Sequence, residues 1–92
     1  MSKVTLTGFI TVSEDDNADV LNALPNHIKL SRKEPGCLVF KVTQDESIMF
    51  RFKVYEEFES KAAFEQHQSR VRSSLWGKIT KNIERNYNVE GL

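Results

Sequence analysis

The chain has 92 residues, which fits one domain over residues 1–92 and leaves no room for a second. Thirteen Lys and Arg balance thirteen Asp and Glu, so nothing electrostatic points to nucleic acid or an anionic membrane as partner. Apolar content of 39% with six Phe, two Tyr and one Trp argues against disorder, and no apolar run reaches the roughly 20 residues of a bilayer span.

Val4, Leu6, Gly8, Ile10 and Val12 alternate with Lys3, Thr5, Thr7, Phe9 and Thr11, a period of two that predicts a strand with one apolar face. The opening "MSKVTLTGFITVSEDD" has neither the apolar centre nor the small-residue cleavage site of a signal peptide, so the protein is expected to stay in the cytosol. Ser13 offers an N-cap, and Glu14, Asp15 and Asp16 place negative charge in a first helical turn, where the helix dipole favours it. Ala18, Leu21, Leu24 and Ile28 follow at helical spacing. Pro25 is read as a kink, because Ile28 continues the stripe, and Pro35-Gly36 ends the helix.

Leu38, Phe40 and Val42 alternate with Cys37, Val39 and Lys41 in a second strand. "TQDES" is a polar turn, and Ile48, Phe50, Phe52 and Val54 alternate with Met49, Arg51, Lys53 and Tyr55 in a third. Ser60 caps a helix whose apolar face holds Ala63, Phe64, His67 and Val71. Leu75, Trp76, Ile79 and Ile83 form the stripe of a short helix starting near Ser73 or Ser74. Ile83, Arg85, Tyr87 and Val89 alternate in a last strand.

The order β-α-β-β-α-β, with one extra short helix, predicts an α+β fold: the ferredoxin-like arrangement, with helices on one face of an antiparallel sheet. The other face carries Phe9, Val39 and Tyr55 among Thr and Lys. That is too apolar to face water alone, so a homodimer is expected. A domain this small buries only about 60–65% of its unfolded surface, a second reason to pair.

Cys37 is the one cysteine, so no internal disulfide can form, and it reads as a small half-buried apolar residue. His27, Cys37 and His67 lack the spacing of a metal site, and the four isolated glycines make no phosphate loop. His67 shares the apolar stripe of its helix and points toward the sheet, whereas His27 shares no clear apolar face and reads as surface. Glu56 has the parity of Phe52 and Val54, so it faces the helices as well. Two readings stay open: a hydrogen-bonded pair buried for structural reasons, or a pocket where Glu56 orients His67 as a general base or binds a substrate proton. Arg70, three residues after His67, reaches the same pocket mouth or is a plain exposed charge. Trp76 is core or a stacking wall. Tyr55 and Tyr87 read as packing or dimer residues.

"SRKEPGCLVFKV" followed by "FKVYEEFESKAAFEQH" resembles the antibiotic biosynthesis monooxygenase family. The family's Arg-x-Glu-Pro-Gly-Cys segment corresponds to Arg32, Glu34, Pro35, Gly36 and Cys37. Its Tyr-Glu-x-(Trp or Phe) corresponds to Tyr55, Glu56 and Phe58, and its Ala-(Leu or Phe)-x-x-His helix to Ala63, Phe64 and His67. The resemblance implies a dimeric α+β barrel with a pocket between sheet and helices in each subunit. Several members oxidise polycyclic phenols or quinols with dioxygen and without metal or flavin, so no cofactor is expected. His67 and Glu56 would then be catalytic, with Phe40, Phe52, Phe64, Trp76 and Arg70 around the substrate. Haem-degrading relatives carry Trp in place of His67 and an iron-binding His ten residues later. That position here is Gly77, which argues against haem. The competing functions are a non-catalytic stress-type dimer that binds a small ligand, and a small-metabolite isomerase with His67 as proton shuttle.

Overall fold

A computed structural model describes residues 3–92. Strand β1 (Val4–Thr11) leads into helix α1 (Glu14–Arg32), followed by β2 (Cys37–Gln44) and β3 (Arg51–Phe58). Helices α2 (Lys61–Arg72) and α3 (Leu75–Ile79) then precede β4 (Glu84–Glu90). The four strands form one antiparallel sheet in the order β2-β3-β1-β4. This is the ferredoxin-like α+β fold that the alternating periods predict.

The helix starts follow from their caps. The Ser13, Ser60 and Ser74 hydroxyls accept hydrogen bonds from the backbone N–H groups of Asp16, Ala63 and Gly77, at 3.2, 3.1 and 3.1 Å. α1 runs on through Pro25, which sits on its exposed side. The buried line of α1 is not the expected one. Val20, His27 and Ser31 face the sheet, with Ala23, Leu24 and Ile28 beside them, while Ala18 and Leu21 are exposed. Two polar residues occupy the buried face, so hydropathy alone rotates the stripe.

β3 starts at Arg51, three residues later than expected. Asp45 accepts from the N–H groups of Ser47 and Ile48, at 2.8 and 3.0 Å, which folds 45–48 into a turn and leaves Ile48 and Met49 exposed. β2 has a register shift between Cys37 and Val39. The shift turns Leu38 outward, 54% exposed, against the inward position its alternation predicts.

The core lies between sheet and helices, built on Val4, Leu6 and Ile10 of β1, Phe40 and Val42 of β2, and Phe52, Val54 and Phe58 of β3. Gly8 interrupts that face on the central strand with φ +150°. A Cβ there would stand 1.9 Å from the Asn86 carbonyl oxygen on β4. Glycine is what lets β1 and β4 pair at this register.

Candidate functional site

Three elements bring titratable side chains into the core. Strand alternation puts Glu56 of β3 on the face of Phe52, Val54 and Phe58, and it is buried. Helical spacing puts His67 of α2 with Ala63 and Phe64, also buried. The third group is Glu34, in the Glu-Pro-Gly turn between α1 and β2. The Cys37 N–H donates to the Glu34 carbonyl oxygen at 3.1 Å and closes this turn. Cys37 itself is half buried, and burial pushes its thiol up, away from nucleophile character.

His67 sits between the two carboxyl groups. Its Nδ1–H donates to Glu34 Oε1 at 2.8 Å. The same oxygen accepts from Arg70 Nε at 3.0 Å and Nη2 at 2.8 Å, and Arg70 Nη2 also donates to Ser31 Oγ at 3.0 Å. Glu34 is therefore clamped, and it fixes the His67 tautomer: the acceptor-only carboxylate accepts a hydrogen bond from Nδ1–H, so the proton stays on Nδ1 and Nε2 keeps a free lone pair. Nε2 looks toward Glu56 Oε1 at 3.6 Å, too far for a direct hydrogen bond. Glu56 Oε1 is buried and has no partner among the described residues. Burial first, then the Glu34 charge, raises the Glu56 carboxyl to about 8. Burial lowers His67, and the Glu34 carboxylate opposes that shift. At neutral pH the site therefore holds a neutral imidazole with an open nitrogen beside a protonated carboxylic acid.

Both groups line a cavity of about 640 Å³, within the range of small-molecule sites. Leu6, Ile10, Val42 and Val54 form its apolar floor, and Trp76, His27 and Tyr87 bring rings to its wall. The His27 and Trp76 rings stack with centroids 4.4 Å apart and planes at 5°. Burial first, then His67 and Arg70, lowers His27 to about 3, so it stays neutral. Tyr87 is partly exposed as a residue. Burial raises its hydroxyl to about 12, with Glu56 adding to the shift.

The candidate residues separate into four groups. His67, Glu56 and Trp76 share the cavity. Phe40 stands behind it, with ring centroids 5.2 Å from His27 and 5.4 Å from His67. Phe52 is wholly buried and Phe64 sits against Phe58 at 5.6 Å, both off the cavity wall. Arg70 turns away to Glu34 and Ser31. The orienting position on His67 belongs to Glu34 rather than Glu56. Glu34 stands in the Glu-Pro-Gly segment but has no periodicity to show where it points. His27, read as surface, is buried on the wall. Its position seven residues after Val20, two full helical turns, marks it as inward once the buried face is known.

The model of the antibiotic biosynthesis monooxygenase family matches residues 3–73. The chain belongs to that family. Solved structures agree on the fold. A proposed antibiotic biosynthesis monooxygenase from Nitrosomonas europaea superposes with a TM-score of 0.84 at 18% identity, over 99% of this chain and 90% of that one. A conserved protein from Methanosarcina mazei gives 0.77 at 20% identity, over 99% and 93%. A further proposed monooxygenase of the family, from Deinococcus radiodurans, gives 0.75 at 18%, over 97% and 91%. No curated protein matches the chain. The family match supports a general assignment as a monooxygenase. No helix among the described residues is long and apolar enough to cross a membrane.

Proposed function

We propose that the chain is a cofactor-independent monooxygenase that oxidises a phenolic, quinol-type or other small aromatic substrate with dioxygen, working as a homodimer. The observation that carries this reading is the placement of His67: it lines a largely apolar cavity while Glu34 holds its Nδ1 at 2.8 Å, which leaves Nε2 as the acceptor. An imidazole fixed this way accepts a phenolic proton. The Glu56 carboxyl, protonated at neutral pH, donates a hydrogen bond to the oxygen that becomes negative. The apolar floor keeps water from quenching the electron-rich phenolate. That anion gives its electrons to dioxygen. In the oxidation of a phenol to a quinone, one oxygen atom enters the ring and the other leaves as water. All four electrons come from the substrate, so no external reductant is required.

The test is oxygen uptake with a panel of phenols, naphthols and anthrones. His67→Ala should lower the rate by about 10²–10⁴-fold without a matching loss of stability. Absence of uptake over the whole panel, or full activity in His67→Ala, would overturn the proposal.

A further inference from the structure

The cavity wall is electrostatically one-sided. Arg72 ends α2, Lys78 lies on α3, Lys81 follows it and Arg85 lies on β4, and all four line the opening. The one acid on the wall is Glu56, at the buried end, where it keeps its proton at neutral pH. Among the described residues the Lys and Arg ion pairs are Lys3 with Glu57 and Arg70 with Glu34, so none of the four cations has a carboxylate within 4.0 Å. The lining therefore carries four cations against that single acid, in a chain whose charges balance at thirteen of each sign. Strand alternation does part of the sorting: Arg85 and Tyr87 of β4 line the cavity, while Glu84 and Glu90 do not.

The cations are not equivalent. Arg85 is set in place: Nη2 donates to the Thr80 carbonyl oxygen and hydroxyl at 2.8 and 2.9 Å, and Nη1 donates to the Ile83 carbonyl oxygen at 3.1 Å. Lys78 and Lys81 are exposed, and their long side chains can swing onto a ligand. One fixed and several adjustable cations beside low-dielectric walls focus the field on whatever enters.

We propose that the substrate is an aromatic acid: its anionic group is held at the mouth by Arg72, Lys78, Lys81 and Arg85, while the ring to be oxidised lies inside against Trp76, His67 and Glu56. This rests on the reading of the cavity as a phenol-oxidising site and adds the substrate's charge. The polarity also fixes direction, since the phenolic end must enter first to reach His67.

The experiment compares 6-hydroxy-2-naphthoate with its neutral methyl ester, followed by quenching of Trp76, the chain's single tryptophan. The ester is the more apolar of the two, so hydrophobic burial alone would favour it. The acid should bind about tenfold more tightly at roughly 20 mM salt, and most of that preference should vanish at about 0.5 M. The double substitution Lys78→Gln with Lys81→Gln should remove much of the preference and leave the ester's affinity unchanged. Equal affinity for acid and ester, a preference that survives both salt and the double substitution, or no binding of either compound would overturn the proposal. Oxygen uptake, measured separately, keeps the two readings apart: tight salt-sensitive binding of the acid without uptake leaves the charge assignment standing and removes the oxidation.

Discussion

The two ring nitrogens of His67 meet two carboxyl groups with opposite duties: Glu34 holds the ring, and Glu56 waits at the open nitrogen. If Glu34 sets the base strength, Glu34→Gln keeps an acceptor for Nδ1–H but removes the charge that raises the His67 pKa. The acid limb of the pH–rate profile should then move to lower pH, with a slower plateau. An unmoved limb would show that Glu34 only fills space. Glu56 makes a separate prediction for stability. The unfolded chain releases its proton near the ordinary 4.5, but the folded chain holds it to about 8. The stability this provides is complete at low pH and is lost as pH rises between those values. His27 acts in reverse, with 6.5 unfolded and about 3 folded, so its stability is lost as pH falls through that window. Between about 4.5 and 6.5 the two oppose each other, and above 6.5 the Glu56 effect continues alone. Glu56→Gln should therefore raise stability at pH 8 by on the order of 2 kcal/mol and change little at pH 4.5, by urea denaturation. A gain of the same size at both pH values would mean that charge is not its cause.

At the scale of elements, much of this fold is legible in period and punctuation. Alternation places the strands, serines at the caps place the helix starts, and Pro35-Gly36 closes α1. What sequence pattern misplaces is polar residues on buried faces and apolar residues in turns. Ser31 is buried where Arg70 reaches it, and His27 is buried as a ring stacked on Trp76, with its Nδ1 lacking a hydrogen-bond partner among the described residues. Ile48 and Met49 are exposed because Asp45 organises a turn beneath them. The site follows the same rule. His67 and Glu56 are found by period, because they share a face with apolar neighbours. Glu34 lies in a turn, and only the tertiary fold aims it. Whether a core phenylalanine reaches the cavity depends on how the helices sit on the sheet, so Phe40, Phe52 and Phe64 could not be sorted by spacing. One element-level requirement is sharp. β1 pairs with both β3 and β4, and Gly8 stands at its middle opposite Val54 and Tyr87. Gly8→Ala forces a Cβ to 1.9 Å from a backbone oxygen at φ +150°, so it should cost on the order of 3 kcal/mol or prevent folding. A variant within 0.5 kcal/mol or so of the parent would show that the two strands can shift apart freely.

At the scale of the whole molecule the two sheet faces differ in kind. The inner face has its helices. On the outer face the described residues supply local cover: the Arg51 guanidinium lies 3.8 Å from the Phe9 ring centre, Lys3 pairs with Glu57 at 3.0 Å, and the Tyr55 hydroxyl donates to Glu57. Val39 remains half buried and Tyr55 37% exposed beside them. A second copy placed face to face would cover this mixed surface with its own equal, as an isologous contact requires. Light scattering at about 10 μM should therefore give twice the 10.6 kDa of one chain, since an interface of standard size holds well at that concentration. Val39→Asp puts a charge on the outer face and should shift the mass toward the monomer. The cavity lies between the sheet and the helices, against the inner-face residues Leu6, Ile10, Val42 and Val54 and away from the outer face. The monomeric variant should therefore still bind the hydroxynaphthoate, with its salt dependence intact. A parent protein that runs at 10.6 kDa would remove the dimer, and a monomeric variant that loses the ligand would mean that the partner subunit helps to hold the site in shape.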